Sequence, residues 1–124
     1  MKKIFILISV IILPFASCKK DNTSINSSGL IGEWSWIKTC GGLIGGCYTP
    51  ADNIYTLKLS FGSDYVEEIY KNDSLIGSNK FTLRNDVIYI ENSLSYTFKF
   101  NADTLVMTTL NVTDLWTSTY KRIK

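Results

Sequence analysis

Four stretches of this chain alternate apolar and polar residues with a period of two. Tyr55, Leu57, Leu59 and Phe61 alternate with Thr56, Lys58 and Ser60. Leu94, Tyr96, Phe98 and Phe100 alternate with Ser95, Thr97 and Lys99. Trp116, Ser118 and Tyr120 alternate with Thr117, Thr119 and Lys121, and Trp34 and Trp36 stand two apart near the start. Successive side chains of a strand point to opposite faces, so each stretch predicts a strand with one apolar face. Turn sequences punctuate them: Gly62-Ser63-Asp64, Asn72-Asp73, Arg84-Asn85-Asp86 and Asn101-Ala102-Asp103. Further strands are expected over 65–71, 78–83 (with a short one near Leu75-Ile76), 87–91 and 104–110. No helical period of 3.6 is sustained after the first seventeen residues. About eight short strands joined by tight turns predict an all-β fold, a small antiparallel up-and-down β-barrel. An immunoglobulin-type sandwich would want a Cys…Trp…Cys spacing that the chain lacks.

The N-terminus is of another kind. Lys2 and Lys3 precede an apolar run, Ile4 to Leu13, too short to span a bilayer as a helix. Ala16 and Ser17 then stand directly before Cys18. This resembles the lipobox of bacterial lipoproteins, which implies that residues 1–17 are a cleaved signal peptide and that Cys18 carries acyl chains of the palmitate type. Two or three such chains anchor a protein stably. The polar residues that follow, up to 29, read as a flexible tether, and the barrel domain is expected over 30–124.

Cleavage removes the charge excess. The chain has 13 Lys+Arg against 11 Asp+Glu, and both surplus cations lie in the signal. A neutral mature chain gives no footing for nucleic acid, which needs a basic patch to neutralise phosphates.

The chemistry of an enzyme is also missing. The chain has no histidine, the usual general base and a common metal ligand. Asp64, Asp73, Asp86, Asp103 and Asp114 sit at turns, where Asp bonds local backbone. Glu67 and Glu68 are adjacent on a strand and so face opposite sides. No enzyme activity, cofactor or metal is expected. Cys40 and Cys47 bracket a run with four glycines. In an exported protein an even pair suggests a disulfide; two buried thiols are the alternative. The glycine run is no phosphate loop, because Thr49-Pro50 and strand-like sequence follow it instead of a helix with Lys and Ser/Thr.

Gly32-Glu33-Trp34 at the head of the first strand resembles the opening motif of lipocalins. In that family the Trp plugs the closed end of the barrel and an Arg after the last strand stacks on it; Arg122 stands where that Arg would be. The chain is similar to small lipocalin-like lipoproteins of Bacteroidetes, which share a lipobox, a polar tether, G-x-W-x-W, a glycine-rich loop ending in T-P and a terminal Y-x-R-I. Here these are Gly32, Trp34, Trp36, the Gly41–Gly46 run, Thr49-Pro50, and Tyr120, Arg122 and Ile123. One motif departs: Thr113-Asp114-Leu115 falls one hairpin later than the T-D-Y of lipocalins.

The resemblance implies a lipid-anchored monomer of the bacterial outer membrane, periplasmic or surface-exposed, binding a small apolar ligand. The inward aromatics Trp36, Tyr55, Phe81, Tyr96, Phe98 and Trp116 would line its site. It also implies that the glycine-rich run is the loop at the open mouth, a stapled lid or a plain surface loop. The alternative is a filled barrel acting as a protein-interaction or inhibitor module, since eight strands enclose either packed side chains or one small ligand.

Overall fold

A computed structural model describes residues 27–124; the expected signal segment, Cys18 and the expected tether as far as residue 26 lie outside the described residues. In chain order the elements are α1 (Ser27–Leu30), β1 (Gly32–Gly41), β2 (Gly46–Tyr48), α2 (Pro50–Asn53), β3 (Leu57–Phe61), β4 (Val66–Lys71), β5 (Ser74–Arg84), β6 (Val87–Ile90), β7 (Ser95–Asn101), β8 (Thr104–Thr109) and β9 (Trp116–Arg122). From β3 to β9 each strand pairs antiparallel with the next, and β1 pairs with β3 on one edge and β9 on the other. Eight strands therefore close an up-and-down barrel. The extra strand, β2, takes over from β3 along the upper part of β1, opposite Thr39, Cys40 and Gly41.

The alternation in the sequence is what the barrel buries. Along β8, Leu105, Met107 and Thr109 are buried and the residues between them are not. Leu59 and Phe61 of β3, Phe81 of β5, Ile88 and Ile90 of β6 and Phe98 of β7 join Leu105 and Met107 in one core. Phe61 and Phe81 meet edge to face, with centroids 5.3 Å apart, an arrangement that suits the ring quadrupoles. β1 closes on β9, and among the described residues the core is drawn from these strands and Leu30.

One end of the barrel is closed. Trp34 is fully buried there, and its Nε1 donates to the Leu30 carbonyl at 2.9 Å. The Arg122 guanidinium lies 4.2 Å from the Trp34 ring, and Phe100 stacks on that ring at 5.9 Å. Arg122 also donates to the backbone carbonyls of Gly29 and Ile31, holding the entering chain against the last strand. Gly32 (φ +139°) has no room for a Cβ, which would collide with the Lys124 carbonyl oxygen.

Two local features differ from the reading of the sequence. Thr49-Pro50 opens a short helix, α2, which stands before the strand expected to follow. The Asp52 carboxylate accepts from both the Thr49 backbone N–H (2.8 Å) and its hydroxyl (2.7 Å), and proline suits the first turn of a helix. These bonds favour the charged form and lower the Asp52 pKa. The two pieces expected near 75–83 form the single strand β5, which follows β4 through a register shift at Ile69/Tyr70.

Cys40 and Cys47 are bonded, as direct partners across the β1–β2 hairpin. Cross-linking so short a loop restricts the unfolded chain by about 2–3 kcal/mol. Replacing both by serine is expected to lower the unfolding free energy by that amount, read as a lower urea midpoint, while the barrel persists. An unchanged midpoint would mean that the hairpin holds without its staple.

Candidate functional site

The other end of the barrel is open, and the site is built there by a break in the alternation of β1. Trp34 and Trp36 point inward. The register against β9 then slips between Trp36 and Lys38, so that Thr39 pairs with Ser118. Such a bulge adds one residue and reverses which side chains face in. Thr39 thus turns toward the interior where strict alternation would place Lys38. Its hydroxyl accepts a hydrogen bond from Trp36 Nε1 at 2.9 Å and lies 2.7 Å from the Ser118 hydroxyl.

Above this hydroxyl pair lies a cavity of about 450 Å³ lined by Trp36, Thr39, Tyr48, Asn53, Tyr55, Leu57, Trp116, Ser118 and Tyr120. Its walls are aromatic and arranged in pairs. Trp36 and Tyr55 stack, with centroids 6.0 Å apart and planes 18° from parallel. Lys71 Nζ lies 4.3 Å from the Tyr55 centroid, a cation–π contact that helps hold that ring in place. Across the cavity Tyr48 and Trp116 are tilted together at 6.1 Å. Trp116 is fixed in turn: its backbone N–H donates to the Thr109 hydroxyl at 2.9 Å, which accounts for that buried threonine.

The cystine-closed hairpin supplies one side of the mouth. Gly41 (φ +145°) is required where β1 meets the β8–β9 loop, because a Cβ would collide with the Leu115 carbonyl oxygen. The hairpin tip, 42–45, lines no part of the cavity. Tyr48 of β2 and Asn53 of α2 reach it instead.

Of the six aromatics expected at a ligand site, Trp36, Tyr55 and Trp116 line this cavity. Phe98 lies in the packed core, and Tyr96 packs against that core half-buried. Phe81 is also core, and borders a separate depression of about 370 Å³ on the barrel flank with Tyr89 and Ile90. The barrel is therefore filled toward its closed end and open at its mouth.

The reading of the sequence had not placed Thr39, Tyr48, Asn53, Leu57, Ser118 and Tyr120 at the site. Leu57, Ser118 and Tyr120 were legible in principle, because they share the inward face of their strands with Tyr55 and Trp116. Tyr48 and Asn53 carry no such signal, since they depend on how β2 and α2 fold over β1.

The interior also holds a carboxylate. Glu67 of β4 is buried, opposite Phe61 of β3 and Asn79 of β5. Loss of solvent pushes its pKa up to about 7, with hydrogen bonding from Asn79 opposing. The Tyr120 phenol is pushed far up, mainly by burial, with Tyr96 and Glu67 adding repulsion and Ser118 opposing. Tyr96 is raised by burial and by Glu67. Burial thus favours the neutral phenol at both positions. Glu67 does not line the cavity, and the lining contains no carboxylate, amine or thiol.

Among the described residues no group of three or more His, Cys, Asp and Glu is placed to hold a metal ion. The cavity offers stacking faces and neutral hydrogen-bonding groups, which suit recognition. No protein-family model matches this chain, and no curated protein matches it.

Proposed function

We propose that the protein is a lipid-anchored binding module that takes a small, flat, largely apolar molecule into the mouth of its barrel. The observation that carries this reading is the composition of the cavity. Two aromatic pairs face it from different strands, and the hydroxyls of Thr39, Ser118 and Tyr120 and the amide of Asn53 provide a few polar contacts. Mostly apolar walls with a small number of placed polar groups are the usual make-up of a ligand site. The rings are held by stacking, by Lys71 and by the Trp36–Thr39 hydrogen bond, so little order must be gained on binding.

Anchoring through Cys18 is supported by the small-small-Cys sequence at the end of the apolar run and by the polar segment before the barrel. The likeness to lipocalin-like lipoproteins is supported by the Gly32, Trp34 and Arg122 arrangement at the closed end. The protein acts without catalysis in this reading, because the cavity lining holds no carboxylate, amine, imidazole or thiol.

Native mass spectrometry of residues 19–124, produced in an oxidising periplasm, tests the binding reading. A retained small molecule, or saturable uptake of one planar aromatic probe per chain, is the expected result. Trp116→Ala should weaken that uptake about tenfold, the worth of one stacking partner. A chain that carries nothing and takes up no probe would remove the ligand and leave the filled-barrel interaction module.

A further inference from the structure

The loops around the mouth carry large aliphatic side chains that no described residue covers. Leu43 and Ile44, at the tip of the β1–β2 hairpin, are 90% and 98% exposed, and Ile54 after α2 is 91% exposed. Leu75, at the start of β5, and Leu115, before β9, are more than half exposed. The loops are tied together: the Gly42 N–H donates to the Leu115 carbonyl (3.4 Å), and the Asn72 N–H donates to the Thr56 carbonyl (3.0 Å). The aliphatics thus stand as separate prongs on the loops that ring the mouth.

Ile54 adds an independent observation. It has left-handed backbone (φ +57°), a conformation that penalises a β-branched residue and that glycine or asparagine adopts at a helix end. Neither burial nor backbone geometry explains an isoleucine there. An apolar contact beyond the described residues would.

We infer that this ring is a membrane-docking surface, by which the barrel sets its mouth on a lipid bilayer through Leu43, Ile44, Ile54, Leu75 and Leu115. Three features favour lipid over a protein partner. The prongs stand apart on different loops, whereas protein hot spots cluster in packed pockets and favour Trp, Tyr and Arg over Leu. Tyr48 lies half-exposed just below them, as aromatic residues do at the headgroup level. The tether also has the required reach. It enters at the closed end, and about nine residues from Cys18 to Ser27 extend to about 30 Å. The ten-residue strand β1, tilted as barrel strands are, rises by about 25 Å. The inference rests on the lipid anchor proposed above for placing the barrel at a membrane, and it gives the bound molecule a route between bilayer and cavity. The charges at this end, Asp52, Asp73, Glu91 and Asp114 with Lys71, are more acidic than basic, so insertion would need no anionic lipid.

The test is co-sedimentation of residues 19–124, which lack Cys18, with phosphatidylcholine vesicles. The wild-type chain is expected to partition onto them. Leu43→Asp/Ile44→Asp should reduce partitioning at least tenfold, and Ile54→Asn several-fold. The Ile54 change relieves the backbone, so an unfolded variant cannot account for its effect; its thermal midpoint should hold or rise. No binding by the wild-type chain at millimolar lipid, or binding indifferent to these changes, would overturn the inference. A concentration-dependent dimer abolished by the same changes, without vesicle binding, would also overturn it and assign the ring to a second copy. None of these residues lines the cavity, so uptake of the planar probe reports on the proposed ligand function separately.

Discussion

Trp34→Ala is expected to cost the barrel about 4 kcal/mol, within the range for removing a fully buried tryptophan. The indole is enclosed by Leu30, Phe100 and Arg122, and its Nε1 satisfies the Leu30 carbonyl. Truncation would leave a cavity at the closed end, a guanidinium without its ring and a carbonyl without its donor. The surrounding elements cannot collapse into the space, because Arg122 is also bonded to the backbone of Gly29 and Ile31 and β1 is locked between β3 and β9. Chemical denaturation should show the loss in the midpoint, and heating should show a melting temperature lower by about 15–25 °C for a domain of this size. A loss below about 1 kcal/mol would mean that the closed end is not the keystone of the core. Arg122→Ala should be milder, about 1–2 kcal/mol, because the indole would remain.

The second large effect is one of pH. The Glu67 carboxyl titrates near 7 in the barrel against an ordinary value of 4.5, because burial penalises its charge. A raised folded-state pKa means that the folded protein binds the proton more tightly than the unfolded chain. The stability linked to this proton is fully present below about pH 4.5, declines as pH rises to about 7, and stays lost above it. The difference between the two values corresponds to about 3 kcal/mol. Glu67→Gln keeps the shape and the hydrogen-bonding capacity but cannot ionise. It should match the wild type at pH 4 and exceed its stability by up to about 3 kcal/mol at pH 8. Urea unfolding of both proteins at the two pH values checks this, since the other carboxyls cancel in the comparison. An advantage equal at both pH values would show that charge on Glu67 is not what the fold opposes.

Glu67 also shows where the sequence stops being informative. Adjacent glutamates on a strand must face opposite sides, and they do: Glu67 is buried, while Glu68 accepts a hydrogen bond from the Tyr70 hydroxyl at 2.7 Å. Alternation says that one of the two faces inward. The pairing of Phe61 with Glu67 decides which, and that pairing joins two strands across a turn. Shifting such a register by one residue would exchange every inward side chain for an outward one.

What the sequence determined by itself was local. Period-two runs, turn residues between them and the absence of a helical period specified an all-β chain of short antiparallel strands. The shared face of Trp34 and Trp36 followed from the same geometry. The tertiary structure decided what depends on contacts between distant segments. Closure of β1 on β9 brought Arg122 over Trp34. The slip between Trp36 and Lys38 turned Thr39 inward to meet Ser118. Packing put Phe81 and Phe98 into the filled end and left Trp36, Tyr55 and Trp116 around an open mouth. Only the folded barrel could show that Leu43, Ile44 and Ile54 stay uncovered, because an apolar residue in a turn reads the same whether it packs inward or stands in solvent. Side-chain alternation is a property of a single strand, whereas register, bulges and burial are properties of strand pairs and of the closed sheet.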